Sequence, residues 1–219
     1  MGKLYIVGTP IGNLEDITLR ALRILKEVDL IACEDTRRTN ILLAHYNIHK
    51  PLVSFHQHSR LKKIDYLLGQ LKSGQDMALV TDAGMPGIAD PGGVLIAEAI
   101  KNKIKIVTIP GPDAITAILS LSGLPIQNYL YLGYFPKKKG RQTLLRNLKK
   151  FPFPIVFFES PQRIKRTLSD IQNYLGDNQI IIGRELTKKF EEVLRGKISE
   201  VLPKIRPQGE FVIVISQSK

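Results

Sequence analysis

Val80-Thr81-Asp82-Ala83-Gly84-Met85-Pro86-Gly87-Ile88-Ala89-Asp90-Pro91-Gly92-Gly93 follows the apolar run Met77-Ala78-Leu79 without a break. Four glycines and two prolines fall within these fourteen residues. An apolar run that ends this way reads as a buried strand emptying into a tight loop. Gly84, Gly87, Gly92 and Gly93 let the main chain turn sharply and let a ligand approach it closely. Pro86 and Pro91 stiffen the loop, so its shape is set before anything binds. Asp82 and Asp90 place one carboxylate at each end. A plain strand-to-helix connection needs fewer of these residues, and the stretch reads as a ligand loop.

Working outward, the same grammar recurs. Lys3–Gly8 predicts a strand that opens into Thr9-Pro10-Ile11-Gly12-Asn13. Asp16 is placed to cap a helix carrying Ile17, Leu19, Leu22, Leu25 and Val28. Leu30-Ile31-Ala32-Cys33 predicts a second buried strand that ends in Glu34-Asp35-Thr36-Arg37-Arg38. A helix through Ile41–Tyr46, a short strand at Leu52–Phe55 and a helix through Leu61–Leu71 precede the central loop. A helix near Val94–Lys101, a strand at Ile104–Ile109 and the turn Pro110-Gly111-Pro112-Asp113-Ala114 follow it. Strands alternating with helices predict an α/β fold with a mostly parallel sheet. In such sheets ligands sit beyond the carboxyl ends of the strands, where all these polar loops fall.

Ser122-Gly123-Leu124-Pro125 breaks the next helix and sets an expected boundary, giving domains 1–122 and 123–219. The second is also read as α/β, with strands at 129–134, 154–158, 179–182 and 211–215 and helices at 141–150 and 162–175. Charge divides the chain as well. Of the formal +12, residues 1–120 carry 14 Lys/Arg against 12 Asp/Glu, and residues 121–219 carry 18 against 8. A nearly neutral half joined to a strongly basic one points to a polyanion, nucleic acid, engaged mostly by the second half. Lys137-Lys138-Lys139-Gly140-Arg141 concentrates that charge, with Tyr134 and Phe135 ahead of it as candidate stacking surfaces.

Several classes drop out. No run of 18 or more apolar residues exists in the chain. The N-terminus reads as a strand and not as a signal peptide. A lone cysteine, Cys33, forbids an intrachain disulfide and fits a cytoplasmic protein. His56-x-His58 lacks a third ligand at metal spacing and reads as a surface pair, so no metal is expected. No G-x-G-x-x-G or Walker pattern is present, which weakens NAD(P) and ATP readings.

The loops themselves resemble a known family. Val7-Gly8-Thr9-Pro10-Ile11-Gly12-Asn13, Cys33-Glu34-Asp35-Thr36-Arg37, Thr81–Gly92 and Pro110-Gly111-Pro112 are similar to the tetrapyrrole-methylase family of S-adenosylmethionine enzymes. Tyr131-Leu132-Gly133-Tyr134-Phe135-Pro136, Phe158-Glu159-Ser160-Pro161-Gln162-Arg163 and Gly183-Arg184-Glu185-Leu186-Thr187-Lys188 resemble the branch that methylates a cytidine 2′-hydroxyl in 16S ribosomal RNA of the small subunit. The resemblance implies two α/β domains with mostly parallel sheets, a cofactor cleft between them, and a homodimer. Carried over by motif, it implies cofactor contacts from Pro10, Asp82, Gly84, Pro86, Gly87 and Pro112, and from Tyr131, Gly133, Phe135 and Arg184. Lys137, Lys138, Lys139 and Arg141 are the expected RNA-binding residues.

Methyl transfer is an in-line displacement, so donor and acceptor must first be aligned. Sulfonium charge disappears in the transition state, and a carboxylate tight against it would favour the ground state. Asp82 and Asp90 are therefore better polar clamps or bases than sulfonium partners. Glu34, Asp35, Asp82, Asp90, Glu185 and Lys188 are the candidate bases, and Asp90 and Glu185 are ranked first because their motifs flank the implied cleft. Methylation of a tetrapyrrole ring carbon and non-catalytic RNA binding stand as the alternatives.

Overall fold

A computed structural model describes residues 1–55 and 61–217. The chain divides into two compact units, Met1–Asp113 and Ala114–Lys219.

The first unit runs β1 (Lys3–Val7), α1 (Leu19–Glu27), β2 (Leu30–Cys33), α2 (Thr36–His45), β3 (Leu52–Ser54), α3 (Leu61–Lys72), β4 (Met77–Leu79), α4 (Gly92–Lys101) and β5 (Lys105–Ile109). Its sheet has the order β3-β2-β4-β1-β5, and every pairing is parallel. Period-two alternation sorts the strand residues onto two faces. Leu4, Leu30, Ala32, Met77 and Leu79 pack with Leu67 and Leu71 of α3 and Leu95 of α4. Ile31, Cys33 and Ala78 pack with Ala21 and Leu25 of α1 and Leu42 and Leu43 of α2. Burial on both faces is why these strands read as continuous apolar runs. One local expectation is corrected. Thr18, not Asp16, caps α1, its hydroxyl accepting the Ala21 N–H at 3.0 Å, while Asp16 ends a short 3-10 turn over Leu14–Asp16.

The second unit runs α5 (Ala114–Ser120), β6 (Leu130–Tyr134), α6 (Arg141–Leu148), β7 (Ile155–Glu159), α7 (Ile164–Leu175), β8 (Gln179–Arg184), β9 (Glu192–Lys197), α8 (Ile198–Val201) and β10 (Phe211–Ile215). Its sheet, ordered β6-β7-β10-β8-β9, is mixed, and only β6 and β7 pair in parallel. β6, β7 and β8 still run the same way, as the alternation implied. β10 returns between β7 and β8 against both, and β9 forms an antiparallel edge unforeseen from the sequence. Glu192–Lys197 is half-exposed and carries three charges, so it lacks the apolar run that marks a buried strand. α5 packs on β10 and β8, which assigns it to the second unit and sets the division at Asp113/Ala114, ahead of the boundary expected after Ser122. Among the described residues no helix is long and apolar enough to cross a membrane.

Candidate functional site

In the first unit the carboxyl ends of β1, β4 and β5 are fastened into one surface. Thr9 and Gly84 exchange backbone hydrogen bonds, each 3.0 Å, and the Thr9 hydroxyl donates to the Thr81 carbonyl at 3.0 Å. The Gly8 N–H donates to the Ile109 carbonyl at 3.0 Å. Gly8 and Gly111 press together so closely that a Cβ on Gly8 would stand 2.7 Å from the Gly111 Cα. These contacts bring Pro10, Gly84 and Pro112 side by side. Gly84 takes φ +83°, and a Cβ there would meet only the Ile11 side chain and the Pro112 carbonyl, both at 3.7 Å. The main chain at Gly84 is thus presented bare, beside two prolines, at the carboxyl edge of the sheet.

Carboxylates ring this surface, each with its own work. Asp82 accepts the Asp35 N–H at 3.1 Å and lies 3.5 Å from the Arg38 Nε. Burial pushes the Asp82 carboxyl up, and the Glu34 charge adds to the rise. Glu34 in turn accepts the Thr81 hydroxyl at 3.0 Å. Asp35 caps α2, and hydrogen bonds from the Arg37 side chain and backbone bring its pKa down to about 2. Asp90 was ranked among the bases, but both its oxygens are taken. They accept the Gly87 N–H at 2.8 Å and the Gly92 N–H at 2.7 Å, so Asp90 fastens the turn that carries Pro86 and Gly87 into α4.

In the second unit the family motifs cross-brace each other. Glu159, fully buried, accepts the Thr167 hydroxyl at 2.6 Å and pairs with Arg163. Arg163 also donates to the Phe135 carbonyl at 2.9 Å and to the Ser160 hydroxyl at 3.0 Å. Arg141 reaches Asp170 at 2.8 Å, the Pro136 carbonyl at 2.8 Å and the Thr167 hydroxyl at 3.0 Å. Its guanidinium lies 4.9 Å over the Phe135 ring. Two expectations are corrected here. Arg141, with its side chain only 8% exposed, is an internal brace and not an RNA contact. Phe135 is 1% exposed and packed against Phe157, so its ring is a core side chain and offers no stacking face. Lys137, Lys138 and Lys139 are exposed, and none makes an ion pair among the described residues.

Gly133 takes φ +64° at an irregularity in the β6–β7 register between Tyr131 and Tyr134, a bulge that re-aims the side chains around it. Tyr131 sits edge-on to Phe158, and Tyr134 turns outward. Past β8, Arg184 is spent on Glu192 across the β8–β9 ladder, at 2.9 Å. Glu185 accepts the Glu210 N–H at 2.8 Å and pairs with Lys188 at 3.1 Å. Burial raises the Glu185 carboxyl, but the Glu210 N–H and Lys188 outweigh it and leave it below its ordinary value. Lys188, held by Glu185 and Glu210, is raised and stays protonated, so it is no base.

The feature least visible in the sequence is strain in this same loop. Glu185 and Thr187 take φ 52° and 65°, both left-handed. Among the described residues the Thr187 hydroxyl is buried without a hydrogen-bond partner. A β-branched residue held there costs energy, and strain of this kind clusters at functional sites. Only its place in a family motif signalled it. Likewise Ser160 and Gln162 stand in a family motif without a role legible in the sequence. His56 and His58 lie outside the described residues. Among those residues no group of three or more His, Cys, Asp or Glu is placed to hold a metal.

The pattern of the Tetrapyrrole (Corrin/Porphyrin) Methylases matches residues 3–202. A Thermotoga maritima protein named ribosomal RNA small subunit methyltransferase I is 50% identical, covering 99% of each chain. The protein of that name from Halalkalibacterium halodurans is 45% identical over 98% of this chain and 75% of its own. Among solved structures, a diphthine synthase superposes with a TM-score of 0.76 over 99% of this chain and 91% of its own, at 16% identity, a likeness of fold. The chain belongs to the tetrapyrrole (corrin/porphyrin) methylase family.

Proposed function

We propose that this chain transfers a methyl group from S-adenosylmethionine to a cytidine 2′-hydroxyl of 16S ribosomal RNA in the small ribosomal subunit. The observation that carries the reading is the 50% identity, across 99% of both chains, to a protein named for that subunit's methylation. The second unit adds support, because nearly all the excess positive charge lies in it and three of its exposed lysines make no ion pair among the described residues. Methylation of a tetrapyrrole carbon is the weaker reading, since it leaves that charge without a use.

The residues at the first unit's strand ends fit S-adenosylmethionine. Bare backbone at Gly84, the prolines at 10, 86 and 112 and the bridge between Thr9 and Gly84 form a stiff cradle that a side chain at Gly84 would intrude upon. When bound, that cofactor supplies a methyl group activated on sulfur. The chain's own residues supply alignment, worth on the order of 7–11 kcal/mol when reactants are held in line. Gly87 belongs to the same cradle through the turn that Asp90 fastens. For Tyr131 and Gly133 the support is the family motif and the bulge that turns them. Proton removal from the ribose hydroxyl needs a carboxylate of raised basicity, and Asp82 has that property. We propose Asp82 for it in place of Asp90, whose two oxygens fasten a backbone turn, and of Glu185, whose carboxyl is held below its ordinary value. The same reading places the protein in the cytoplasm as a homodimer, with apolar Ile88, Val94 and Ile100 exposed as contact material. The test is methyl transfer from labelled cofactor to small subunits taken from a strain lacking the corresponding enzyme. Label in 16S ribosomal RNA at a cytidine ribose is the expected result, and label absent from it refutes the reading.

A further inference from the structure

The carboxyl ends of β2 and β4 bring Glu34, Asp35, Arg37 and Arg38 to bear on one side chain, Asp82. We propose that Glu34 is a positioning residue for methyl transfer. Fastened by Thr81, it keeps its charge beside Asp82 and makes that carboxylate a stronger base, while Arg38 opposes it. The inference rests on the proposed role of Asp82 in taking the ribose hydroxyl proton, and it names what sets the proton affinity.

Strand register makes the pair. β2 and β4 run parallel with Ala32 opposite Leu79, and the Val80 N–H donates to the Ala32 carbonyl at 2.9 Å. Two residues further along each strand stand Glu34 and Thr81, which the two-residue alternation puts on the same side. The Thr81 hydroxyl donates to the Glu34 carboxylate at 3.0 Å. Thr81 is itself 7% exposed, and its carbonyl accepts the Thr9 hydroxyl at 3.0 Å. This anchor is thereby tied to the bridge between Thr9 and Gly84. One residue on, Asp82 accepts the Asp35 N–H at 3.1 Å. Both carboxylates are thus pinned by the same two strand ends, and neither turns away to relieve their repulsion.

The remaining charges near Asp82 are balanced, screened or absent. Asp35 is paired with Arg37 at 2.6 Å. Burial pushes the Cys33 thiol up and keeps it neutral, and the Lys63 ammonium beside it donates to the Ser54 hydroxyl at 2.9 Å. Arg38 lies 3.5 Å from Asp82, but its side chain is 63% exposed and water weakens its pull. Glu34 has no cationic partner among the described residues. Burial first and the Glu34 charge second raise the Asp82 carboxyl, against the Asp35 N–H and Arg38. A proton arriving on Asp82 removes its repulsion with Glu34. The pair therefore favours the state in which the ribose hydroxyl has given up its proton.

The test reads two quantities on the full chain. One is the pH–rate profile of methyl transfer to small subunits at saturating cofactor. The other is the carbon-13 NMR titration of the Asp82 carboxyl, its signal identified by its loss in Asp82→Asn. Glu34→Gln keeps an oxygen for the Thr81 hydroxyl and removes the charge. It should move the Asp82 titration and the acid limb of the rate to lower pH, and slow the rate above that limb. Arg38→Gln should move both to higher pH. A merely structural role lowers the rate at every pH and leaves the limb in place. A Glu34→Gln titration and limb that stay with wild type, or two variants that shift the same way, overturn the inference. Asp82→Asn judges the base itself, with a loss of about 10²–10⁴-fold expected. A rate close to wild type there overturns the base, and the role of Glu34 with it, whatever the Glu34 variant does. Should the wild-type chain methylate no small subunit, the proposed function falls, and the NMR titration still decides the coupling of Glu34 to Asp82.

Discussion

Replacing Lys137, Lys138 and Lys139 together with Gln separates charge that faces the solvent from charge that holds the fold. All three lysines are exposed and make no ion pair among the described residues, so their removal leaves no buried partner stranded. If each neutralises one phosphate of single-stranded RNA, the slope of log affinity against log salt flattens by about 0.7 per lysine, or up to about 2.1. Arg141, four residues from Lys137, is the control from the same cluster. Arg141→Gln leaves Asp170, the Thr167 hydroxyl and the Pro136 carbonyl without their donor. Breaking a buried pair costs roughly 3–5 kcal/mol, and because Asp170 is about one-third exposed we expect about 2–3 kcal/mol. The assay is a salt titration of small-subunit binding for wild type and both variants, with urea unfolding alongside. The triple variant should flatten the slope at unchanged stability, and Arg141→Gln should lose stability at unchanged slope. Parallel salt lines for wild type and the triple variant would refute phosphate contact by this segment. A stable Arg141→Gln with a flattened slope would refute the structural assignment of that arginine.

Gly84→Val forces a β-branched residue into φ +83° and into the bare backbone surface, and Asp82→Ala removes its carboxylate. Both should weaken cofactor binding in calorimetry while circular dichroism stays unchanged. Thr187→Gly relieves a left-handed β-branched residue and should raise stability by about 1 kcal/mol in urea melts while lowering methyl-transfer activity. pH dependence of stability should separate two carboxylates. Glu185, lowered on folding, contributes stability that is full above its unfolded value and lost as pH falls through the folded one, and Glu185→Gln should abolish that acid limb. Asp82, raised on folding, has the opposite sign. Stability declines as pH climbs from its unfolded toward its folded value, and Asp82→Asn should remove the decline. Light scattering at micromolar concentration should give twice the chain mass, and a monomer there would refute the homodimer.

Local chemistry is written in the sequence and carried through to the structure. Apolar runs buried on both faces and ending in Gly-Pro loops announced the parallel sheet of the first unit and the edge at which its loops gather, because burial and turn formation need only neighbouring residues. The motifs at 131–136, 158–163 and 183–188 were legible as words, and the family with them. What each letter does was decided by tertiary contacts. Arg141 and Lys137 look alike in a basic run, yet Thr167 and Asp170, from a helix more than twenty residues on, draw one inward and leave the other in solvent. Phe135 and Tyr134 are adjacent aromatics, and the strand's alternation, re-aimed by the bulge at Gly133, buries the first and exposes the second. Asp90 looked as free as any loop carboxylate until two backbone N–H groups closed on it. β9 was missed because an edge strand with one solvated side carries no apolar run. A side chain's partners depend on which distant segments fold beside it, and a linear reading does not contain those distances.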